Sequence, residues 1–259
     1  MIAFVLRVAL VSTAMFVGLL VFVEVGRWFG SRRRARLGGG PDDPSGSAID
    51  ASVFALFGLL IAFSFSGALD RFDRRRGLIV TEANAIWNAY CRLELLPAAS
   101  QAELRPLFRQ YLASRLAYYP KMYEPEKAKE ERDHAHAIQE EIWRQAIAGA
   151  RTVGTPAVLG IVTSSVSAMS DVEVERIAAT HRHPPPVIFG MLLAVGFAAE
   201  FLAGHSTSGK PRHWSRVVVF SASLSVAVFV VLNLEYPRLG LIHLGNADLP
   251  LIEVLERMR

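Results

Sequence analysis

The sequence predicts an all-α integral membrane protein with four transmembrane helices and a helical aqueous layer. Three observations support this prediction. Hydrophobic residues make up 52% of the chain with a mean hydropathy of +0.30, several apolar runs are long enough to span a bilayer, and the two-residue alternation of a half-buried strand is missing. Charged residues, at 20%, are too many for a protein lying wholly in lipid, so they are expected in loops and in the aqueous layer.

The second apolar run, residues 51–69, organises the rest of the chain. It contains no charge, and at about 1.5 Å per residue it just crosses a hydrocarbon core of roughly 30 Å. The bulky Leu59 and Phe63 flank a face of small residues typical of close helix packing. The run therefore fits either a packed bundle helix or a pore helix with an apolar constriction. The small residues are Ala51, Ala55, Gly58, Ala62 and Ser66.

Three further runs are predicted to cross the membrane: residues 2–23, 187–203 and 217–234. The first lacks the charged start and the cleavage site of a signal peptide, so we expect a retained helix. Glu200 lies near one end of the third run, where its carboxylate either extends to the interface or faces an aqueous cavity. We expect the former. A short basic connector makes the last two runs an antiparallel hairpin.

The runs divide the chain into four segments. Residues 1–69 hold the first two spans with a basic Gly- and Pro-rich linker at 30–48, residues 70–186 form the helical aqueous domain, residues 187–234 form the hairpin, and residues 235–259 form a tail. The arginine cluster from Arg32 to Arg36 and the glycines after it are expected to form a short flexible loop.

The aqueous domain begins as a continuation of the second span. An apolar stripe at helical spacing runs along it, and Pro97 ends the helix. A capping-box pattern from Ser100 to Glu103 predicts the start of the next helix, which reaches Tyr119. Pro125 predicts the start of a third helix, with Ile138, Ile142 and Ala146 aligned. The stripe consists of Phe72, Ile79, Ala83, Ile86, Tyr90 and Leu93.

Polar residues in this domain leave several interpretations open. Glu82, Asn84 and Asn88 fit either polar contacts between helices or the wall of a water-filled vestibule. Residues 152–169 fit a buried helix, an interfacial segment or a weak span, and their many hydroxyl groups favour the buried helix. Residues 171–176 are expected to form a solvated end of the aqueous layer.

Catalytic and metal-binding motifs are missing from the sequence, so we expect no enzyme activity, no cofactor and no metal site. The single Cys91 excludes an internal disulfide framework. His134 and His136 do not face together on a helix. The net charge of +4 comes mostly from arginine clusters beside apolar runs, which indicates lipid headgroups as partners and not nucleic acid.

Several motifs together resemble the bestrophin-like family of bacterial membrane proteins. They lie at residues 59–67, 71–75, 82–84, 95–97 and 234–242 and span most of the chain. Bestrophins proper are pentameric anion channels with four spans per subunit and a helical cytosolic layer. The resemblance implies a homopentamer, multi-pass in the bacterial inner membrane, with its helical layer in the cytoplasm.

The resemblance also implies where a pore would be narrow. In bestrophins the second span carries a small residue and a Phe, followed eight residues later by Arg-Trp, and this chain has Ala62-Phe63 followed by Arg71-Phe72. The match places Ala55, Leu59 and Phe63 at the apolar neck, and Ser66 completes the predicted pore-lining set. Because the Trp, the neck proline and an acidic calcium clasp are missing, calcium gating is not expected.

The sequence therefore predicts an ion channel, anion-conducting, that self-associates and binds the lipid bilayer and small inorganic ions. An aqueous vestibule would be lined by Arg74, Arg75, Arg76, Glu82 and Asn84, whose arginines enrich anions. The alternative is a non-conducting scaffold or sensor whose helical layer binds a partner. A transporter ranks third because broken helices and internal repeats are missing. Orientation stays open, since the arginine clusters after both the first and the second span favour the cytoplasm.

Overall fold

The computed structural model describes residues 2–37, 44–211, 213–237 and 248–258. Within these ranges the chain is almost entirely helical and contains no β-strand, which confirms the all-α prediction. A short 3-10 helix at Arg92–Leu95 separates the second and third α-helices. The α-helices are α1 (Ile2–Leu37), α2 (Pro44–Cys91), α3 (Ala98–Lys121), α4 (Pro125–Val153), α5 (Pro156–His181), α6 (Pro186–Ser206), α7 (Trp214–Glu235) and α8 (Leu249–Arg257).

The chain forms two compact units. The membrane unit comprises Met1–Phe72 and His183–His243, and the helical unit comprises Asp73–Arg182 and Leu244–Arg259. Helix α2 contributes residues to both. Within the described residues, four helical stretches contain a part that is long and apolar enough to cross a membrane, in agreement with the four predicted spans. They are Phe4–Arg36, Ala48–Leu95, Pro156–Ser206 (which includes α5 and α6) and Trp214–Glu235.

The first two helices are longer than predicted. Helix α1 continues through Arg32 to Arg36 and ends at Leu37, so this cluster is helical and the loop prediction for it is wrong. Arginine has a high helix propensity, and the first glycine after the arginine cluster is Gly38. Helix α2 begins at Pro44, a residue tolerated in a first turn. Residues 38–43 of the predicted linker lie outside the described residues.

In the membrane unit, α1 and α6 approach each other closely through glycines. A Cβ atom on Gly26 would overlap the backbone carbonyl of Phe201, and one on Gly204 would overlap the carbonyl of Val23. Small residues allow such approach between membrane helices, where the hydrophobic effect does not drive association. The small-residue face of α2 is not packed in this way within the chain, since nothing lies within 4 Å of a Cβ atom added at Gly58.

The carboxylate of Glu200 is buried in the membrane unit. Its side chain is 2% exposed, and the Ser221 hydroxyl of α7 donates a hydrogen bond to Oε1 at 2.7 Å. The expectation that Glu200 extends to the interface is therefore wrong. The serine on the facing helix supplies a donor that lets the carboxylate turn inward.

The core of the helical unit confirms most of the predicted apolar pattern. The predicted stripe is buried at Ile79, Ala83 and Ile86 of α2 and at Leu93 of the 3-10 helix, with Tyr90 packed against the core. Ile138, Ile142 and Ala146 of α4 are buried in the same core, as are Val162, Val166 and Met169 of α5. Residues 156–169 are thus a helix packed on this core, as favoured. Helix α8 also belongs to it, through Leu251 and Val254.

The predicted capping box does not form. Helix α3 begins at Ala98, directly after Pro97, so Ser100 lies inside the helix and its side chain caps no backbone group at the helix start. The amide of Gln101 instead donates to the carbonyl of Leu96 at 2.9 Å. Pro97 cannot continue the preceding 3-10 helix, because it has no N–H to donate and its ring clashes with the preceding turn, so the new helix begins directly after it.

Replacing Gly26 by Ala should destabilise the membrane unit by about 2 kcal/mol, because the added methyl group forces α1 away from α6. Gly190→Ala is the matched control, since nothing lies within 4 Å of a Cβ atom there. Thermal unfolding of the purified protein in detergent measures both. Equal melting temperatures for the two variants would show that the glycine contact does not stabilise the protein.

Candidate pore-lining face and buried ion network

The membrane part of α2 has one covered side and one uncovered side. Phe57 and Ala68 are buried against the rest of the membrane unit, whereas Leu59 is 50% and Phe63 66% exposed. In the most apolar 18-residue stretch of α2 only 6% of the residues are buried, against 28–39% in the corresponding stretches of the other three spans. The chain therefore leaves half of this helix without a protein neighbour of its own.

All four residues predicted to line a pore lie on this uncovered side. Ala55, Leu59, Phe63 and Ser66 are exposed, and at 3.6 residues per turn they fall within about a quarter turn of one another. The small residues of α2 lie on the same side. The structure thus brings the four together on one helix face, while their role in conduction stays a prediction.

At the end of the membrane unit, α2 and α7 are joined by a buried carboxylate. Glu235 is 1% exposed, and Arg71 donates to its Oε1 from Nε at 2.8 Å and also from Nη2. The His183 ring lies 3.6 Å from Oε2 through Nδ1 and stacks on Tyr236 with a centroid distance of 4.6 Å. Two motifs of the family resemblance, far apart in sequence, meet here.

The three arginines predicted for a vestibule have different surroundings. Arg74 is exposed and pairs with exposed Glu175 at 2.7 Å. Arg75 is buried, and it donates to the backbone carbonyls of Ala179 at 3.0 Å and Arg182 at 2.9 Å. It therefore satisfies carbonyls at the end of α5, a favourable site for a cation. Arg76 is exposed, as is Asn84.

Glu82 lies inside the helical unit and has no exposed surface. Arg115 of α3 donates to its Oε1 at 2.7 Å, and Arg176 of α5 donates to Oε2. Of the two interpretations of Glu82, the structure supports a polar contact between helices. Glu82 and Arg75 are thus unavailable to line a vestibule, and only Arg74, Arg76 and Asn84 of that predicted set are exposed.

The Glu82 contact extends into a buried ion network. Arg115 also donates to Glu173 Oε1 at 2.8 Å and to the Tyr119 hydroxyl at 2.6 Å, and Tyr111 donates to Glu173 Oε2 at 3.0 Å. Arg176 reaches Asp248, just before α8, at 3.0 Å. Glu173 and Arg176 belong to the segment 171–176 that was expected to be solvated. That expectation is wrong for these two residues, whereas Asp171, Val174 and Glu175 are exposed.

Burial and neighbouring charges shift the pKa values of the network residues on α3, which are Tyr111, Arg115 and Tyr119. Burial raises the pKa of Tyr111 well above its ordinary value of 10.0, and the negative charges of Glu173 and Glu82 add to the rise. Burial and Glu82 likewise raise the pKa of Tyr119. For Arg115, burial alone would lower the pKa, but Glu82 and the two tyrosines keep it above its ordinary value. At ordinary pH Arg115 is therefore charged, and Tyr111 and Tyr119 are neutral.

Sequence reasoning missed most of this network because the partners that join different helices, such as Glu82 with Arg115 and with Arg176, lie 33 to 94 residues apart. In the part of the chain that the structure describes, no group of three or more His, Cys, Asp and Glu side chains could hold a metal ion. The arrangement pairs acids with arginines and tyrosines, and its chemistry is that of holding helices together.

Replacing Glu82 by Gln should lower the free energy of unfolding by about 3–5 kcal/mol, because two buried arginines lose their shared counter-charge. Circular dichroism during heating of the purified protein gives the measurement. Glu141→Gln is the control, since Glu141 pairs with exposed Arg144 on the surface of α4 and its loss should leave the melting temperature unchanged. An unchanged melting temperature for Glu82→Gln would contradict the role of the network.

Alkaline pH should destabilise the helical unit through Tyr119. A raised pKa in the folded state means that the stability from neutral Tyr119 is complete below pH 10 and is lost as pH rises through the folded-state value. Between pH 10 and 11 the unfolding free energy of Tyr119→Phe should fall less steeply than that of the wild type, by about 1 kcal/mol over that pH unit. Denaturant titrations at several pH values measure the slopes, and identical slopes would refute the assignment.

Comparisons with known proteins agree on one family. The family described as Bestrophin-like domain matches residues 17–247. A crystal structure of a variant of a bacterial bestrophin homologue from Klebsiella pneumoniae has a TM-score of 0.62 at 14% identity, covering 94% of this chain and 96% of that chain. A second variant of that homologue gives 0.63 at 15% identity, covering 95% and 96%.

A third crystal structure, of a membrane protein, gives a TM-score of 0.63 at 14% identity over 95% of this chain and 96% of its own. At such low identity these likenesses show the fold. Comparison with curated proteins finds no match. Since the family match covers most of the sequence, and the four apolar spans and helical unit agree with it, this chain is a membrane protein that belongs to the Bestrophin-like domain family.

Proposed function

We propose that the protein is an oligomeric ion channel whose apolar neck is formed by the membrane part of α2. The observation that carries this proposal is the uncovered side of α2, where Ala55, Leu59, Phe63 and Ser66 share one face. An apolar helix face of this length must be covered by lipid, by another copy or by the lumen of a pore. Small residues on it suit close approach of a second copy, and the bulky Leu59 and Phe63 beside them suit a constriction.

In the proposed mechanism, copies of the chain surround a central axis, five of them as in bestrophins. Rings of Leu59 and Phe63 then narrow the path, and water withdraws from a narrow apolar ring, so that ions do not cross. Widening of the ring restores water and allows passage of partly dehydrated ions. Nothing in this mechanism requires catalysis, and we propose that the protein is a channel and not an enzyme.

The proposed preference for anions rests on cations that follow the membrane part of α2. Arg74 and Arg76 are exposed. The charge of Arg71 is balanced by Glu235, and that of Arg74 is balanced in part by Glu175. Asp70 and Asp73 on the same turns offset part of the positive charge. The expected selectivity is therefore modest and falls with ionic strength. We place the protein in the bacterial inner membrane, multi-pass, with its helical unit in the cytoplasm.

Chloride and potassium flux from liposomes that contain the purified protein tests the channel. Wild-type protein should release chloride faster than potassium, and Phe63→Ala should raise the chloride flux roughly tenfold, the change produced by about 1.4 kcal/mol of barrier. The reason is that removal of the Phe63 ring widens and wets the constriction. Val219→Ala is the control, because Val219 is an equally exposed apolar residue, at 65%, on α7.

The outcomes separate the two candidate functions. Flux that Phe63→Ala changes and Val219→Ala does not would place the neck at α2. No flux from any variant, with the protein folded and oligomeric, would refute the channel and favour a scaffold or sensor whose helical unit binds a partner. Equal effects of the two substitutions would place the neck elsewhere.

A further inference from the structure

An open groove of about 690 Å³ lies on the membrane unit, between the outer face of α1 and the start of α7. Its walls are almost entirely apolar, and two tryptophans stand at one end. A groove of this size and lining is of the kind that holds a ligand with a hydrocarbon portion. The residues that line it include Val17, Leu20, Val21, Val25 and Trp28 of α1, and Trp214 of α7.

The tryptophan end of the groove is fixed by contacts within the membrane unit. Arg27 of α1 donates to the carbonyls of Thr207 at 3.1 Å and Lys210 at 3.0 Å, in the connector between α6 and α7. Gly30 packs so closely on this connector that an added Cβ atom would overlap Ser208. These contacts hold the start of α7, and with it Trp214, beside α1.

The length of the groove matches one leaflet of a bilayer. From Val17 to Trp28, α1 rises about 16 Å, which is about half of a hydrocarbon core of roughly 30 Å. Tryptophan is enriched at the boundary between hydrocarbon and headgroups, and Trp28 and Trp214 are each 48% exposed. The groove therefore runs from the boundary at Trp28 towards the middle of the membrane.

Positive charge follows directly beyond the tryptophans. The guanidinium of Arg32 stacks over the Trp28 ring at 3.7 Å, and Arg33, Arg36 and Arg216 are exposed. Glu24 is the charged residue among the lining side chains, one turn deeper than Trp28. An anionic group would be repelled at the depth of Glu24 and attracted at the depth of Arg32, which sets where a headgroup can lie.

We propose that this groove is a binding site for an anionic phospholipid, with one acyl chain between Val17 and Trp28 and the phosphate beside Arg32 and Arg36, which continue the same face of α1. An anionic phospholipid fits the site because the groove is apolar and about one leaflet long, tryptophans mark the headgroup boundary at its end, and arginines lie directly beyond them. Neither the neck nor conduction is needed for this inference.

Lipid competition tests the site. Full-length protein is reconstituted into nanodiscs with equal amounts of phosphatidylglycerol and phosphatidylcholine, extracted gently, and its retained lipids are counted by native mass spectrometry. Wild-type protein should retain phosphatidylglycerol several-fold over phosphatidylcholine. Arg32→Gln combined with Arg36→Gln should abolish this preference, because it removes two exposed cations from the groove side of α1.

Two further variants make the test specific. Arg92→Gln combined with Lys129→Gln removes the same number of exposed cations from the helical unit and should leave the preference unchanged. Val21→Trp should fill the groove and reduce retention of both lipids. Equal retention of the two lipids by the wild type, or a preference that survives loss of Arg32 and Arg36, would overturn the proposal.

A photocrosslinking amino acid at Val21 identifies the occupant directly. Irradiation in native membranes should give an adduct with the added mass of a phospholipid. Adducts with a second copy of the chain, seen as a covalent dimer, would overturn the proposal and assign this face to contact between copies.

Discussion

The buried pairing of Glu82 with Arg115 is the interaction on which the helical unit depends. It joins α2 to α3 without any exposure to water, and through Glu173, Arg176 and Asp248 it reaches α5 and the start of α8. Charges removed from water are expensive unless each has a partner in good geometry. Since each of these charges has one, we infer that the network fixes which helix positions face each other, a choice that apolar contacts alone leave open.

The two units are held together by different physical means. The helical unit buries a large apolar core and adds charges at its centre, whereas the membrane unit brings α1 and α6 into backbone contact at Gly26 and Gly204. This difference follows from the solvent. Water drives apolar helix faces together, while lipid does not, so membrane helices gain from close van der Waals contact. Val23 and Phe201 supply the carbonyls that only glycine can approach.

The sequence predicted the parts of the fold that depend on apolar periodicity. The buried Ile79 and Ile86 of α2 and Ile142 of α4 repeat at helical spacing, and the four spans are continuous apolar runs, so local pattern alone identifies them. The exposed Leu59 and Phe63 were also found as a face, because a face is a property of one helix.

Positions that depend on distant partners could not be predicted in this way. Glutamate is usually exposed, so local pattern alone predicts exposure for Glu173 and Glu200. Glu173 is buried because Tyr111 and Arg115 donate to it, and Glu200 because Ser221 does. The helical extension of α1 through Arg34 was missed for a related reason. The helix propensity of arginine permits a helix here but does not require one, and contacts with the connector after α6, such as the approach of Arg34 to Gly209, add to it.

The packing of α8 has a consequence for the order of biogenesis. Leu251 and Val254 complete the core formed mainly by α2 to α5, yet α8 is translated after α7. A chain made from its amino end must therefore keep Ile86, Ile142 and their neighbours partly uncovered until all four apolar spans have been synthesised. Final closure of the helical unit then waits for the synthesis of α8, and a ribosome that stalls within α7 would leave a protein with the apolar core of its helical unit open.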